Sequence, residues 1–321
     1  MTTVFIDGES GTTGLRLRDR LLGRTDIELL SLSAQERRST EARRDMMKQA
    51  DITVLCLPDG ASREAVSLAE GTGTRLLDAS SAHRTEPGWV YGCPELQQAY
   101  PEAIARAGRV SVPGCHATGV VLMLAPLIYQ GLIPAEALLS VTSITGYSGG
   151  GKNMIAAYEG KERRSHDSYS VPRPYAYFQT HKHLPEIVRY AGLRQPPVFM
   201  PIVGDFKCGM CVTIPLHLKQ YGLSAESIAA VWTERYARSA VVTTVDYTAL
   251  SATGEDRPDA LSGFDKLQMC VVGNEERVLL MALYDNLGKG ASGAALQCLN
   301  LMIGAAPDTG LKLNLNDSPR M

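Results

Sequence analysis

The 321-residue sequence has no long apolar run, no long basic run, no internal repeat and no low-complexity segment. Its longest unbroken apolar stretches, Val120–Ala125 and Val278–Tyr284, fall far short of the roughly 20 residues that span a bilayer. A membrane protein is therefore not expected. A net charge of −2 provides no field for nucleic acid or an anionic membrane surface. No secretory leader is expected, because the sequence opens into a strand pattern, Thr3–Ile6, without a basic-then-apolar start. Seven cysteines, an odd number scattered over a long chain, argue against a disulfide framework and for a reducing cytoplasm. What remains is ordinary globular material, 45% apolar and 21% charged. Its length suggests two domains.

The amino-terminal third alternates strand and helix patterns. Val4-Phe5-Ile6 leads through Asp7-Gly8-Glu9-Ser10-Gly11-Thr12-Thr13-Gly14 into a helical run, Leu15–Leu22. The glycines fall in a G-x-x-G-x-x-G variant of the dinucleotide fingerprint, in the strand–turn–helix context that motif requires. Gly8, Ser10, Gly11, Thr12, Thr13 and Gly14 are the expected contacts to a pyrophosphate at the helix N-terminus. Strands are expected at 26–32, 52–57 and 74–78, with helices at 34–49 and 61–70. Repeated βα units imply a parallel, doubly wound α/β sheet. Strand two should end at the adenine ribose, and there the chain carries Ser33, Arg37 and Arg38 where an NAD-specific protein tends to place an acid. Hydroxyl and guanidinium groups suit a 2′-phosphate, which favours NADP(H) over NAD. Glu36 stands beside those arginines, and a solvated helix face is the plainer alternative. Pro58 and the Asp78–Arg84 segment lie at carboxyl ends of strands, where such sheets bind ligands. Ser80 is an expected cofactor contact, and Arg84 can grip a phosphate or carboxylate.

The centre of the chain is Val112-Pro113-Gly114-Cys115-His116-Ala117-Thr118-Gly119. Pro-Gly punctuation before an apolar helical run, 118–128, puts Cys115 on a turn that opens a helix. The positive helix end and its unpaired N–H groups favour a thiolate, the nucleophilic form, and can hold an oxyanion. A buried inert thiol is the competing possibility. Downstream, Gly146–Asn153 nearly matches a phosphate loop, but Asn153 replaces the hydroxyl that ligates magnesium, which argues against a nucleotide triphosphatase. Ser148, Gly149 and Gly150 stay candidates for an anion or cofactor contact. An irregular aromatic loop, 158–177, is expected near substrate. In His181-Lys182-His183-Leu184-Pro185-Glu186-Ile187, Pro185 suits a helix start, so both histidines precede it in an extended or turn segment. One serves as general acid/base and the other as support; His181 is assigned the chemistry, with Glu186 nearby. A metal pair lacks a convincing third ligand, so no metal is expected. Cys208 and Cys211 form a C-x-x-C on an expected strand, 205–216, which would point them to opposite faces. Asn286 fits either a nicotinamide carboxamide or a helix cap.

Taken together, these segments resemble the N-acetyl-γ-glutamyl-phosphate reductases of the short form, within the aspartate-semialdehyde dehydrogenase-like superfamily. The resemblance runs along essentially the whole chain. It rests on the Gly8/Gly11/Gly14 loop, Pro113-Gly114-Cys115, Ser148-Gly149-Gly150-Gly151, His181-Lys182-His183-Leu184-Pro185-Glu186-Ile187 and Asp285-Asn286-Leu287-x-Lys289-Gly290. His116 stands where longer relatives usually carry an aromatic. The resemblance implies a Rossmann-type NADP-binding domain, 1–114, completed by 286–321, and an α+β catalytic and dimerisation domain, 115–285, with a largely antiparallel sheet. It further implies a cytoplasmic homodimer or homotetramer acting on a small-molecule acyl phosphate. The Cys115 thiolate would form a thioester that NADPH reduces, with His181 supplying a proton, and Arg84 and Lys207 would hold phosphate or carboxylate. A sister reductase for aspartyl or aminoadipyl phosphate would share every motif; a non-catalytic NADP-binding sensor would need only the glycine loop.

Overall fold

The computed structural model describes residues 1–160, 163 and 168–314. Residues 161, 162 and 164–167 of the expected aromatic loop, and 315–321 of the expected carboxyl-terminal completion, lie outside the described residues. The chain forms two units: Met1–Pro113 with Ala291–Leu311, and Gly114–Gly290 with the segment that begins at Lys312.

The first unit is a parallel sheet of strands β1 (Thr2–Asp7), β2 (Ile27–Leu30), β3 (Ile52–Leu55), β4 (Arg75–Asp78), β5 (Val90–Tyr91) and β6 (Arg109–Ser111), in the order β2-β1-β3-β4-β6-β5. Four helices connect them: α1 (Thr12–Leu21), α2 (Thr40–Gln49), α3 (Asp59–Leu68) and α4 (Tyr100–Arg106). All four residues of β3 are buried, as expected of a parallel strand covered on both faces. The expected helix at 34–49 is broken, because Ser39 is extended and caps α2 by accepting from the Ala42 N–H. The carboxyl-terminal helix Gly293–Met302 is buried along nearly its whole length. Its Ala294, Leu296, Cys298 and Leu299 pack with Val4, Ile6, Leu17 and Val110 in one core.

The second unit is built around helix α5 (Cys115–Tyr129), whose residues 116–128 are all buried. Further helices are α6 (Gly151–Glu159), α7 (Leu184–Ala191), α8 (Leu218–Tyr221), α9 (Ala225–Tyr236) and α10 (Tyr247–Thr253). The sheet comprises β7 (Ser140–Gly146), β8 (Arg173–Pro174), β9 (Val198–Gly204), β10 (Met210–His217), β11 (Val242–Thr244), β12 (Leu267–Gly273) and β13 (Arg277–Tyr284), in the order β11-β12-β13-β10-β7-β9-β8. It is mixed, because β7–β9 and β11–β12 pair in parallel. Pro126 lies inside α5 and has no N–H for the Leu122 carbonyl. Tyr236 of α9 supplies the missing donor, its hydroxyl 2.6 Å from that carbonyl, and Trp232 Nε1 donates to the Met123 carbonyl at 2.9 Å. A helix this apolar is thereby kept continuous through a proline. No helix among the described residues is long and apolar enough to cross a membrane.

Candidate active site

In the first unit, the glycine loop closes where β1 meets α1. Gly8 has φ +87°, and a Cβ there would stand 2.4 Å from the Cys56 carbonyl oxygen. A Cβ on Gly14 would stand 2.6 Å from the Gly8 carbonyl oxygen. Both glycines are therefore required by close backbone approach, as the dinucleotide motif demands. Beside the loop lies a cavity of about 400 Å³ lined by Asp7, Gly8, Glu9, Ser10, Arg37 and Arg38, among others. This backbone cradle fits a dinucleotide. Glu36 does not face the arginines: it closes a turn with Ser33, accepting from the Ser33 N–H at 3.0 Å, while its own N–H reaches Ser33 Oγ. The carboxylate that meets Arg37 is Glu9, which sequence reasoning left unassigned. Pro58 precedes α3 as its N-cap residue. The Ser80 hydroxyl is committed to Asp78 Oδ2 at 2.7 Å, and the same carboxylate oxygen binds His83 Nδ1 at 2.6 Å. Arg84 is buried and donates from Nε to the Val112 carbonyl, 3.0 Å away, which steadies the strand end that feeds the cysteine turn.

In the second unit, α5 begins at Cys115 itself, with Gly114 as its extended N-cap. The expected start, residue 118, was too late by one turn. The half-buried thiol thus occupies the first helical position, where backbone N–H groups have no intrahelical acceptor. Two long-range contacts set that turn. Glu186 of α7 is buried and accepts from the Gly114 N–H at 2.7 Å. The Tyr284 hydroxyl, from the end of β13, donates to the Cys115 carbonyl at 2.6 Å and accepts from the Gly119 N–H at 3.1 Å. The helix would ordinarily join those two backbone groups to each other. A phenol inserted into the ladder opens the first turn instead. Gly119 makes room, since a Cβ there would sit 2.8 Å from the Tyr284 hydroxyl. Burial, and next the charge of Cys115, push the Tyr284 phenol well above its usual range.

The two histidines sit in a turn rather than an extended segment. His183 has helical dihedrals and is the N-cap residue of α7, and the Leu184 N–H closes onto the His181 carbonyl at 3.0 Å. Pro185 follows at the second helical position. Their rings meet edge to face, centroids 4.7 Å apart. His183 is buried and His181 is half-buried. The side chain after Cys115 joins them: the His116 ring lies 5.4 Å from His181 and 5.5 Å from His183. Its Nδ1 meets Ser143 Oγ at 2.7 Å and its Nε2 meets the Tyr175 hydroxyl at 2.9 Å. Burial above all, helped by the positive charges of His181 and Lys182, pushes His116 down to about 3. It is a neutral strut, not a proton carrier. Burial and the nearby Cys115 charge likewise raise the Tyr175 phenol. His116, Tyr175 and Tyr284 were not named as site residues from the sequence; adjacency to Cys115 was the only signal for His116.

Other expected site residues are placed elsewhere in this unit. The Asn286 amide is buried, with Oδ1 accepting from the Gly209 N–H and Nδ2 donating to Ser148 Oγ, both at 2.9 Å. That tie fixes the Tyr147–Gly150 turn, and a Cβ on Gly149 would lie 3.5 Å from Asn286 Nδ2, an ordinary contact. A Cβ on Gly150 would crowd Met154. Lys207 is exposed and its Nζ pairs with Glu159 at 2.9 Å. Cys208 lies outside β10, because Gly209 turns through φ +122° against the Pro258 carbonyl, so the expected continuous strand starts only at Met210. Among the described residues, no group of three or more His, Cys, Asp or Glu side chains has an arrangement suited to a metal ion.

This architecture is that of the semialdehyde dehydrogenases. The model of their NAD binding domain matches residues 3–107, and that of their dimerisation domain matches 115–286. Aspartate semialdehyde dehydrogenase II from Vibrio cholerae superposes with a TM-score of 0.69, covering 95% of this chain and 98% of that one at 16% identity. Its counterpart from Francisella tularensis gives the same score over 94% and 100%. Curated relatives are more similar in sequence. The N-acetyl-gamma-glutamyl-phosphate reductase of Burkholderia cenocepacia is 44% identical over 311 residues, 95% of this chain and 98% of that protein. N-acetyl-gamma-glutamyl-phosphate reductase 2 of Pseudomonas putida is 44% identical over 306 residues, 94% and 97% of the two chains. The chain belongs to the N-acetyl-gamma-glutamyl-phosphate reductase family.

Proposed function

We propose that this chain reduces N-acetyl-γ-glutamyl phosphate to N-acetylglutamate semialdehyde and phosphate, a step of arginine biosynthesis, with NADPH as reductant. The observation that carries the proposal is the link made by Glu186, which joins the helix behind the histidine turn to the backbone just before Cys115. In the first half-reaction the Cys115 thiolate attacks the acyl-phosphate carbonyl, the carbon–sulfur bond forms, and the carbon–oxygen bond to phosphate breaks. Backbone N–H groups of the opened α5 turn face the oxygen that gains charge. The Gly8–Gly14 loop would hold the dinucleotide, whose chemistry when bound would be hydride donation to the resulting thioester. His181 gives a proton to the carbonyl oxygen as it becomes tetrahedral. It takes that proton back as the carbon–sulfur bond breaks, releasing aldehyde and regenerating thiolate. His183 and His116 hold the His181 ring, and Arg84, Ser148 and Lys207 are the candidates for substrate anions.

The half-exposed arginines at the cavity favour NADP over NAD. Pairing of two copies through the open sheet face is supported by Val198, Met200 and Leu279, which are exposed on strands of the unit matched by the dimerisation-domain model. A reducing cytoplasm is supported by the seven cysteines, none of which forms a disulfide.

The test is phosphate-dependent reduction of NADP⁺. N-acetylglutamate semialdehyde should support it and aspartate semialdehyde should not; the reverse preference would move the chain to a sister reductase. Cys115→Ser should lose at least about a thousandfold in turnover while still binding NADP⁺. Undiminished turnover in that variant would overturn the thioester route.

A further inference from the structure

Two acid–base pairs border the cavity of the first unit, and they differ in kind. Asp7 and Arg43 form a buried pair, with Asp7 Oδ2 accepting from Nε at 3.0 Å and from Nη2 at 2.8 Å, while Arg43 Nη1 also reaches Glu64 Oε1 at 3.3 Å. Glu9 is different. Its side chain is only 10% exposed, yet its partner Arg37 is 42% exposed. The Glu9 carboxylate is shared among Arg37 Nη2, Ser31 Oγ at 3.3 Å and Arg18 Nε at 3.7 Å. Ser31 immediately follows β2, the strand end that reads the 2′ position of an adenine ribose in this fold. A carboxylate at that end accepts a hydrogen bond from a 2′-hydroxyl and repels a 2′-phosphate; a guanidinium does the opposite. This chain holds one of each in contact.

We propose that Glu9 sets how sharply the chain distinguishes NADP from NAD. Its carboxylate competes with a 2′-phosphate for Arg37 and accepts the 2′-hydroxyl of the unphosphorylated dinucleotide. Arg38 lines the same cavity and pairs with no carboxylate among the described residues, so a 2′-phosphate keeps one uncontested cation. The outcome is a preference for NADP held below what two unopposed arginines would give. The inference rests on the dinucleotide reading of the first unit, and goes beyond it by assigning a discriminating residue outside the usual acid position on strand two.

Isothermal titration of the full chain with NADP⁺ and with NAD⁺ tests this without any chemistry. Glu9→Gln should tighten NADP⁺ and weaken NAD⁺, raising the ratio of the two Kd values at least about tenfold, the scale of one unscreened charge contact. Arg37→Met should move the ratio the other way. A Glu9→Gln ratio within about twofold of wild type, or equal losses for both dinucleotides, would overturn the proposal. If Glu9→Gln does not fold, Glu9→Asp withdraws the carboxylate by one methylene; it must shift the ratio in the same sense, and no shift overturns the proposal. Wild-type protein that binds neither dinucleotide would instead overturn the cofactor reading itself.

Discussion

Replacing Tyr236 by Phe removes a hydrogen bond on which helix α5 depends. Pro126 leaves the Leu122 carbonyl without its helical donor, and the Tyr236 hydroxyl fills that role at 2.6 Å. Tyr236 and Leu122 are both buried, so no water stands ready to substitute. A buried carbonyl left unmatched costs about 1–3 kcal/mol, and the lost hydroxyl removes little apolar contact. Tyr236→Phe should therefore destabilise the protein by about 2 kcal/mol in urea titrations followed by circular dichroism at fixed protein concentration. The double variant supplies the sharper result. Pro126→Ala restores an N–H four residues after Leu122, so in that background Tyr236→Phe should cost less by roughly 1–2 kcal/mol. A Tyr236→Phe loss below about 0.3 kcal/mol, or additive single and double variants, would refute the reasoning.

Glu186→Ala strips the acceptor from the Gly114 N–H and, on the proposed thioester route, should lower kcat about 10- to 100-fold by displacing the Cys115 thiol. Glu186→Gln keeps an acceptor and should lose less; steady-state rates equal to wild type in the alanine variant would sink the role. His116 has a second consequence, in acid. Its pKa falls from 6.5 to about 3 on folding, so between those values the unfolded chain binds more protons. Its contribution is complete above about pH 6.5 and is lost as pH falls toward 3, at roughly 1 kcal/mol per unit. Urea titrations from pH 7.5 down to 4.5 should show that slope, and His116→Asn should flatten it. Gly8→Ala places a methyl against the Cys56 carbonyl at φ +87°; NADP⁺ should then no longer raise its melting temperature, whereas a wild-type rise would contradict the cradle.

Local features of the site were legible, and long-range ones were not. The Gly8–Gly14 loop was legible because its glycines fall in the strand–turn–helix context that the dinucleotide motif requires. Cys115 at a helix start was readable from Pro113-Gly114, although the helix begins three residues earlier than its apolar pattern does. The histidine segment reads equally well as extended or as a turn, since nothing in His181-Lys182-His183 announces the helical dihedrals that His183 adopts as a cap. The strand expected through Cys208 failed because the obstacle, the Pro258 carbonyl, lies some fifty residues downstream and leaves no local mark. Glu36 is the arginines' neighbour in sequence, but the carboxylate that meets Arg37 is Glu9, from the loop after β1. Periodicity reports which residues face a core; it carries no information about which polar side chain crosses to meet another.

Gly119 and Tyr284 are bound to each other by such a crossing. Alanine at 119 alone would collide with the phenol, and phenylalanine at 284 alone would strand a carbonyl and an N–H. Made together, the two changes would still collide, because the ring carbons Cε1 and Cζ that phenylalanine keeps stand 2.9 and 3.2 Å from a Cβ at 119. The glycine is therefore held in place by the ring as well as by its hydroxyl, and neither position can change without disturbing the backbone that carries Cys115.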